Sequence, residues 1–274
     1  MITLPAATLA RPAVPRRRHS PAEFAPAPLA STSAHALALP ASVTWTTDIE
    51  RATPRSELAT PLLLDRELYA AAPIRTAHRY PRQKNIQGLY YFASTGRHVW
   101  HESQLESMVM RWLDMQDDIV AISAQPMRID FADGTSHTPD FLALHSDHRQ
   151  VVYDVKPLRF LPKFEAQFAK TRAFCDHVGF EYEVHHELPK QVAVNLSWLA
   201  GFKHHGYRPP AEPIRALLRA LDQPMPMREA VDVLDGRNRP RGRSGLFHLV
   251  WSRVLDLDMT LPISNRTLIE RTAQ

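Results

Sequence analysis

One cysteine stands among 274 residues. Cys175 alone can form neither an intramolecular disulfide nor a cysteine-based zinc site, which suits a reducing, cytoplasmic setting. No run approaches the roughly 18 apolar residues of a membrane span, so no membrane partner is expected. The chain also lacks G-x-x-x-x-G-K-[ST], the loop that cradles nucleotide phosphates, and G-x-S-x-G, the nucleophile elbow of serine hydrolases. ATP hydrolysis and serine-hydrolase chemistry are therefore disfavoured. Histidine is plentiful, at 14, but the pairs His185–His186 and His204–His205, and the nearby His145 and His148, lack the acid or thiol company of a zinc site. Solvated loop or edge positions are expected for them. There is no internal repeat.

The composition that remains is 44% hydrophobic with a net charge of +4. It allows one sizeable core or two smaller ones, and a mild preference for an anionic partner. Residues 1–58 are crowded with Ala, Pro, Ser and Thr, as in "PAEFAPAPLASTSAHALALPAS", and read as a disordered tail. Within it, "RPAVPRRRHS" is basic and reads as an untidy terminus rather than a DNA-touching arm. Residues 59–208 form the main domain, its texture changing near Pro73. In residues 209–274, prolines separate short helical runs such as "IRALLRALD" and "MREAVDVLD". A third helix and two short strands follow, the layout of a small winged-helix-like domain. Arg237, Arg239, Arg241 and Arg243 run ahead of that helix, where phosphate contacts and a solvated linker are both open readings.

The main domain carries the chemistry. Leu105, Met108, Val109, Trp112 and Leu113 have the spacing of an amphipathic helix, with Ser103 as its N-cap. "DIVAISAQPMRIDF", the segment containing Asp140, and "QVVYDVK" read as strands. A helix then runs through "KFEAQFAKTRAFCDHVG" and stops at Gly179, and "FEYEVHH" adds a further strand. This order predicts an α/β fold, a mixed sheet flanked by helices. Asp154 and Lys156 share one strand face. A three-residue connection, Ser146 to His148, sets Asp140 opposite Asp154, whereas a two-residue one puts it on the other face. Paired carboxylates beside a lysine argue for the odd connection, with Mg²⁺ or Mn²⁺ between the acids and Lys156 stabilising charge on a phosphate. Neutralising Asp154 should then relieve repulsion and leave the fold as stable or more so. Glu106 borders the apolar helix stripe and can supply a third acid, although Ser103 and Glu106 also spell a capping box, S-x-x-E. Glu102 is its rival.

From about Arg82 onward the chain resembles the TnsA-like endonuclease subunits of heteromeric transposases. The match runs through "GLYYFASTGRHVWHESQLES", "DDIVAISAQP", "HTPDFLAL", "VVYDVKP" and "FCDHVGFEYEV", and continues weakly in "HLVWSRVLDLDMTLPIS". The resemblance implies a restriction-endonuclease-like PD-(D/E)xK core whose catalytic residues are Glu106, Asp140, Asp154 and Lys156, and it favours Glu106 over Glu102. The metal set it implies is Glu106, Asp140, Asp154 and the main-chain carbonyl of Val155, holding Mg²⁺ or, in substitution, Mn²⁺. Gln125 matches a family glutamine and is taken as structural. The implied activity is hydrolysis at the 5′ ends of a transposon. Its implied partners are DNA, a DDE-type transposase subunit that handles the 3′ ends, and an AAA+ ATPase regulator reached through the C-terminal region. A free-standing restriction or repair nuclease, and a catalytically silent DNA-binding module of the same fold, are the competing readings.

Overall fold

The computed structural model describes residues 41–47, 53–74, 86–116 and 118–272. The first strands are β1 (Ser42–Trp45) and β2 (Arg55–Leu58), followed by the hairpin β3 (Gly88–Phe92) and β4 (Arg97–His101). Helix α1 (Gln104–Gln116) leads to β5 (Ile119–Ala124), β6 (Arg128–Asp130), β7 (Ser136–His137), β8 (Phe141–His145) and β9 (Gln150–Val155). Helix α2 (Leu161–Val178) ends at Gly179, whose φ of 99° is the left-handed cap that glycine adopts without strain. Next come β10 (Glu181–His185) and α3 (Lys190–Leu199). The chain closes with α4 (Ala211–Ala220), β11 (Met225–Pro226), α5 (Met227–Asp235), α6 (Arg239–Trp251), β12 (Leu255–Leu257) and β13 (Leu268–Arg271). No described helix is long and apolar enough to cross a membrane.

The protein is a mixed α/β fold built on several small sheets. The central one has the order β10-β9-β8-β5, with β10 parallel to β9 and the other pairs antiparallel. Strand alternation divides its core. Phe141, Ala143, Val151, Tyr153 and Val155 join the cluster that includes Val109, Met110 and Leu113 of α1, while Leu142, Val152, Tyr182 and Val184 join Phe168, Phe174 and Cys175 of α2. Helices therefore flank the sheet, as the element order predicts. The connection from β8 to β9 is the odd one, since Phe141 pairs with Tyr153 and Leu144 with Gln150. Continued by one residue, this register brings Asp140 level with Asp154.

A second sheet, β2-β1-β6-β7, corrects the extent of the N-terminal tail. β1 and β2 lie inside the span read as disordered, yet Val43 and Trp45 are fully buried, packed with Met127 and Ile129. Alternating burial over four residues is too short a signal to stand out from Ala/Pro-rich surroundings. Residues 1–40, including the basic stretch, lie outside the described residues.

Helices α3 to α6 and the three-stranded sheet β11-β13-β12 make up the C-terminal part. The helix α3 lacks a counterpart among the sequence expectations, although Val192, Leu196 and Leu199 have helical spacing and are buried. Leu196, Leu246, Trp251 and Ile269 belong to the same apolar cluster as Phe141 and Tyr153, so the C-terminal helices share a continuous core with the central sheet. Gly242 permits close approach of α6 to α5, because a Cβ there would meet the Val231 carbonyl at 2.9 Å. Of the arginine run, Arg237 precedes this helix, and Arg239, Arg241 and Arg243 lie in its opening turns. Asn238 caps α6, Arg239 pairs with Asp232 at 2.7 Å, and Arg243 donates to Asn265.

Candidate active site

Glu106 lies in the first turn of α1 and closes the helix end. Ser103 Oγ accepts the Glu106 N–H at 3.1 Å and donates to Oε1 at 2.8 Å, while the Glu102 N–H donates to Oε2 at 2.8 Å. The Ser103 half of the capping box foreseen from S-x-x-E is formed, while the glutamate closes the helix end through the Glu102 N–H and the Ser103 hydroxyl. Capping is not the whole role of the side chain's charge. Burial first, and the charge of Asp140 second, push the Glu106 carboxyl up to about 7, against the lowering effect of the cap's hydrogen bonds.

Asp140 stands at the start of β8. Its Oδ2 accepts the Val155 N–H at 2.7 Å and the Lys156 ammonium at 3.2 Å. Its backbone is braced from both sides, donating to the Tyr153 carbonyl and accepting the Gln125 N–H. Gln125 adopts a φ of 46°, uncommon for a side chain of its size, just where β5 ends. Burial holds the Asp140 carboxyl above its ordinary value, with Lys156 opposing and Asp154 adding to the shift. Lys156 shows the reverse balance. Burial works against its charge, yet Asp140, Asp154 and Glu106 together lift its pKa above the usual lysine value. Its ammonium lies 3.2 Å from both Asp140 Oδ2 and the Val155 carbonyl, so those two oxygens converge on a cation.

Asp154 is fully buried and turned toward α2 and β10. His137 Nε2 reaches both of its oxygens, at 2.8 and 3.1 Å, and the Tyr182 hydroxyl donates to Oδ2. Gln167 Nε2 lies 2.8 Å from His137 Nδ1 and orients the ring so that Nε2 faces the carboxylate. Burial alone would raise the Asp154 carboxyl, but His137, Lys156 and Tyr182 outweigh it and hold it below its ordinary value. Asp154 is thus a satisfied anion.

The four residues singled out in the sequence therefore divide. Lys156 bonds to Asp140 and the Val155 carbonyl, and Glu106 is close enough for its charge to act on both Asp140 and Lys156, whereas the hydrogen bonds of Asp154 go to His137 and Tyr182. Among the described residues no group of three or more His, Cys, Asp or Glu side chains is placed to hold a metal ion. Asp140, Glu106 and the Val155 carbonyl fit a hard divalent cation by donor type. Asp154 already accepts from His137 on both oxygens and from Tyr182 on Oδ2. Beside this cluster, Gln125 Oε1 and Thr138 Oγ1 are buried and, among the described residues, without a hydrogen-bond partner.

His137, Gln167 and Tyr182 escaped the sequence reading because nothing local marks them. His137 reaches Asp154 only through the pairing of β6 with β7, which sets Ile129 opposite His137. Two histidines assigned to solvated positions are in fact buried: His145 bridges Asp118 and the Tyr153 hydroxyl, each at 2.8 Å, and His185 pairs with Glu183 at 2.9 Å. His204 and His205 stack on each other in exposed positions. No protein-family model matches the chain, and no curated protein matches it significantly.

Proposed function

We propose that the protein is a metal-dependent DNA endonuclease of the PD-(D/E)xK kind, acting as the TnsA-like subunit of a heteromeric transposase. The observation that carries this reading is the convergence of Asp140 Oδ2 and the Val155 carbonyl on the Lys156 ammonium, with Glu106 close enough for Asp140 to raise its pKa. A sheet that needed only stability would not gather two carboxylates that repel each other. Asp140, Glu106 and the Val155 carbonyl would hold Mg²⁺, or Mn²⁺ in its place. When bound, such an ion would contribute an activated water and offset the charge of the phosphate. Lys156 stabilises the charge that develops on the phosphate, and a 3′-hydroxyl leaves. His137 and Tyr182 hold Asp154 as a fixed negative charge beneath Lys156.

The C-terminal order α4-β11-α5-α6-β12-β13, with its three strands in one antiparallel sheet, supports a winged-helix-like form. In this reading that part meets an AAA+ ATPase regulator, while a DDE-type subunit cuts and joins the 3′ ends. The test is cleavage of a transposon-end duplex in Mg²⁺, with and without the partner recombinase. Asp140→Asn and Lys156→Ala should each lose about 10²–10³-fold in rate. Mn²⁺ should raise the melting temperature of the wild type and of Lys156→Ala but not of Asp140→Asn. Equal shifts in all three would sink the metal site, and strong site-specific cutting by the chain alone would favour a restriction-type enzyme.

A further inference from the structure

The ten residues 155–164, "VKPLRFLPKF", contain three cations, Lys156, Arg159 and Lys163, and no acid. They also contain the exposed apolar side chains nearest in sequence to the candidate site. Leu158 is 55% and Phe160 41% exposed. Both are held outward by a defined turn. Leu158–Phe160 is a 3₁₀ turn closed by the Phe160 N–H on the Pro157 carbonyl, and the Leu158 N–H donates to Glu187 at 2.8 Å. Pro162 then sits in the first turn of α2. The Arg159 guanidinium lies over the Phe160 ring, 4.7 Å from its centre, and the Lys163 ammonium lies 5.9 Å from the centre of Phe164. Among the described residues neither Arg159 nor Lys163 enters an ion pair, so the charge of these two faces solvent, while Lys156 pairs with Asp140.

We infer that this ridge is a DNA-contacting subsite in which Arg159 and Lys163 hold phosphates beside the scissile one, and Phe160 stacks on an unpaired or unstacked base. The inference rests on the nuclease reading for its ligand class and goes beyond it in naming the contacts. Phe160 follows Lys156 by four residues, a reach of at most about 14 Å along the chain. Backbone charges along one DNA strand recur about every 3.4 Å of helix axis, so Phe160 falls within about four nucleotides of the cut. Cations alone would suit duplex backbone. An aromatic ring presented between them, with a guanidinium over its face, is the pattern that binds single-stranded or extruded bases, because stacking tolerates any base while the cations follow the backbone.

The experiment titrates the full chain with a transposon-end duplex carrying 2-aminopurine beside the expected cut, and with the corresponding single strand, in Ca²⁺ at several salt concentrations. Phe160→Ala should weaken single-strand binding roughly tenfold and abolish the 2-aminopurine change, leaving the salt slope unaltered. Arg159→Ala with Lys163→Ala should lower the slope of log K against log salt by about 1.4 on the single strand and about 1.8 on duplex. These side chains are exposed, and thermal melts should show all variants folded. Wild-type affinity, fluorescence and slope in every variant would overturn the subsite, and so would variants that instead lose a protein partner while binding DNA normally. The nuclease reading fails separately. Cleavage absent from the wild type under all conditions, with the ridge effects present, would reject the enzyme and retain the DNA contact.

Discussion

Two buried aspartates each hold a lysine in this protein, and the two pairs behave in opposite ways. Asp114 on α1 accepts Lys203 at 3.3 Å, and Asp140 accepts Lys156 at 3.2 Å. Asp114 is fully provided for. The Tyr90 hydroxyl and the N–H groups of Ala93 and Ser94 also donate to it, while the Lys203 ammonium lies 3.7 Å from the centre of the Tyr90 ring and donates to the Tyr91 carbonyl. Burial shifts both partners toward neutrality: it raises the Asp114 carboxyl and lowers the Lys203 ammonium, each effect opposed by the other's charge. Around Lys156, by contrast, three acids contend for one cation. The ammonium is pushed up and the carboxyls of Glu106 and Asp140 are pushed up with it. A buried acid–lysine pair is therefore no sign of a site in itself. The sign is an excess of one charge that the fold leaves unbalanced.

The largest effect expected from this contrast falls on the balanced pair. Asp114→Ala would strand Lys203, the Tyr90 hydroxyl and two backbone N–H groups between the β3–β4 hairpin, α1 and the Trp251 end of α6. It should cost about 3–5 kcal/mol in urea unfolding, with no change in the metal-induced shift of melting temperature. A loss below about 1 kcal/mol would mean that the pair is incidental.

Asp154 shows how burial overrides the sequence argument. Its expected relief on neutralisation is reversed, because His137 and Tyr182 stabilise the anion and Lys156 lies nearby. Its carboxyl is held below the ordinary value, so it contributes stability above that value and loses it as pH falls through the lowered one. His137→Ala removes a donor to a fully buried carboxylate and should cost about 2–3 kcal/mol at pH 7. Unfolding midpoints at pH 7 unchanged from wild type would show that Tyr182 suffices. The same substitution should leave Asp114 and Lys203 untouched, which separates the two regions.

Local signals were legible in the sequence and long-range ones were not. Ser103 and Glu106 mark the start of α1 and Gly179 marks the end of α2. These follow from capping and backbone freedom, each readable within a few residues. The register that makes Asp140 and Asp154 neighbours is left open by the sequence between a two- and a three-residue connection, and favoured only by the chemistry of paired acids. Lys203 and Asp114 are 89 residues apart and joined only by tertiary packing. His137 meets Asp154 across a strand pairing that two residues of β7 barely announce. The partners of Asp154, not its face, were missed for the same reason. Alternation says which face a side chain takes, and not whether a metal or a histidine waits there.

The smallest effect is the most informative about the unbalanced cluster. Glu106→Gln preserves the cap, since a carboxamide can accept the Glu102 N–H and meet Ser103, and it removes the charge that burial and Asp140 oppose. The wild-type carboxyl titrates near the ordinary 4.5 when unfolded and at about 7 when folded. Between those values the folded chain holds a proton that the unfolded chain has released. Wild-type stability therefore falls as pH rises through this window, and the full penalty is present above about pH 7. Glutamine carries no such penalty. The variant should match wild type near pH 4 and exceed it by about 1–2 kcal/mol at pH 8, less than the full shift implies because Asp140 and Lys156 readjust to the lost charge. Mn²⁺ should flatten the wild-type slope, since a bound cation keeps the carboxylate ionised, and should have little effect on the variant. Urea unfolding of both proteins from pH 4 to 8, with Mn²⁺ and with EDTA, measures all of this. A pH-independent difference between them would reduce Glu106 to a helix cap and leave Asp140 and Lys156 as a pair no different in kind from Asp114 and Lys203.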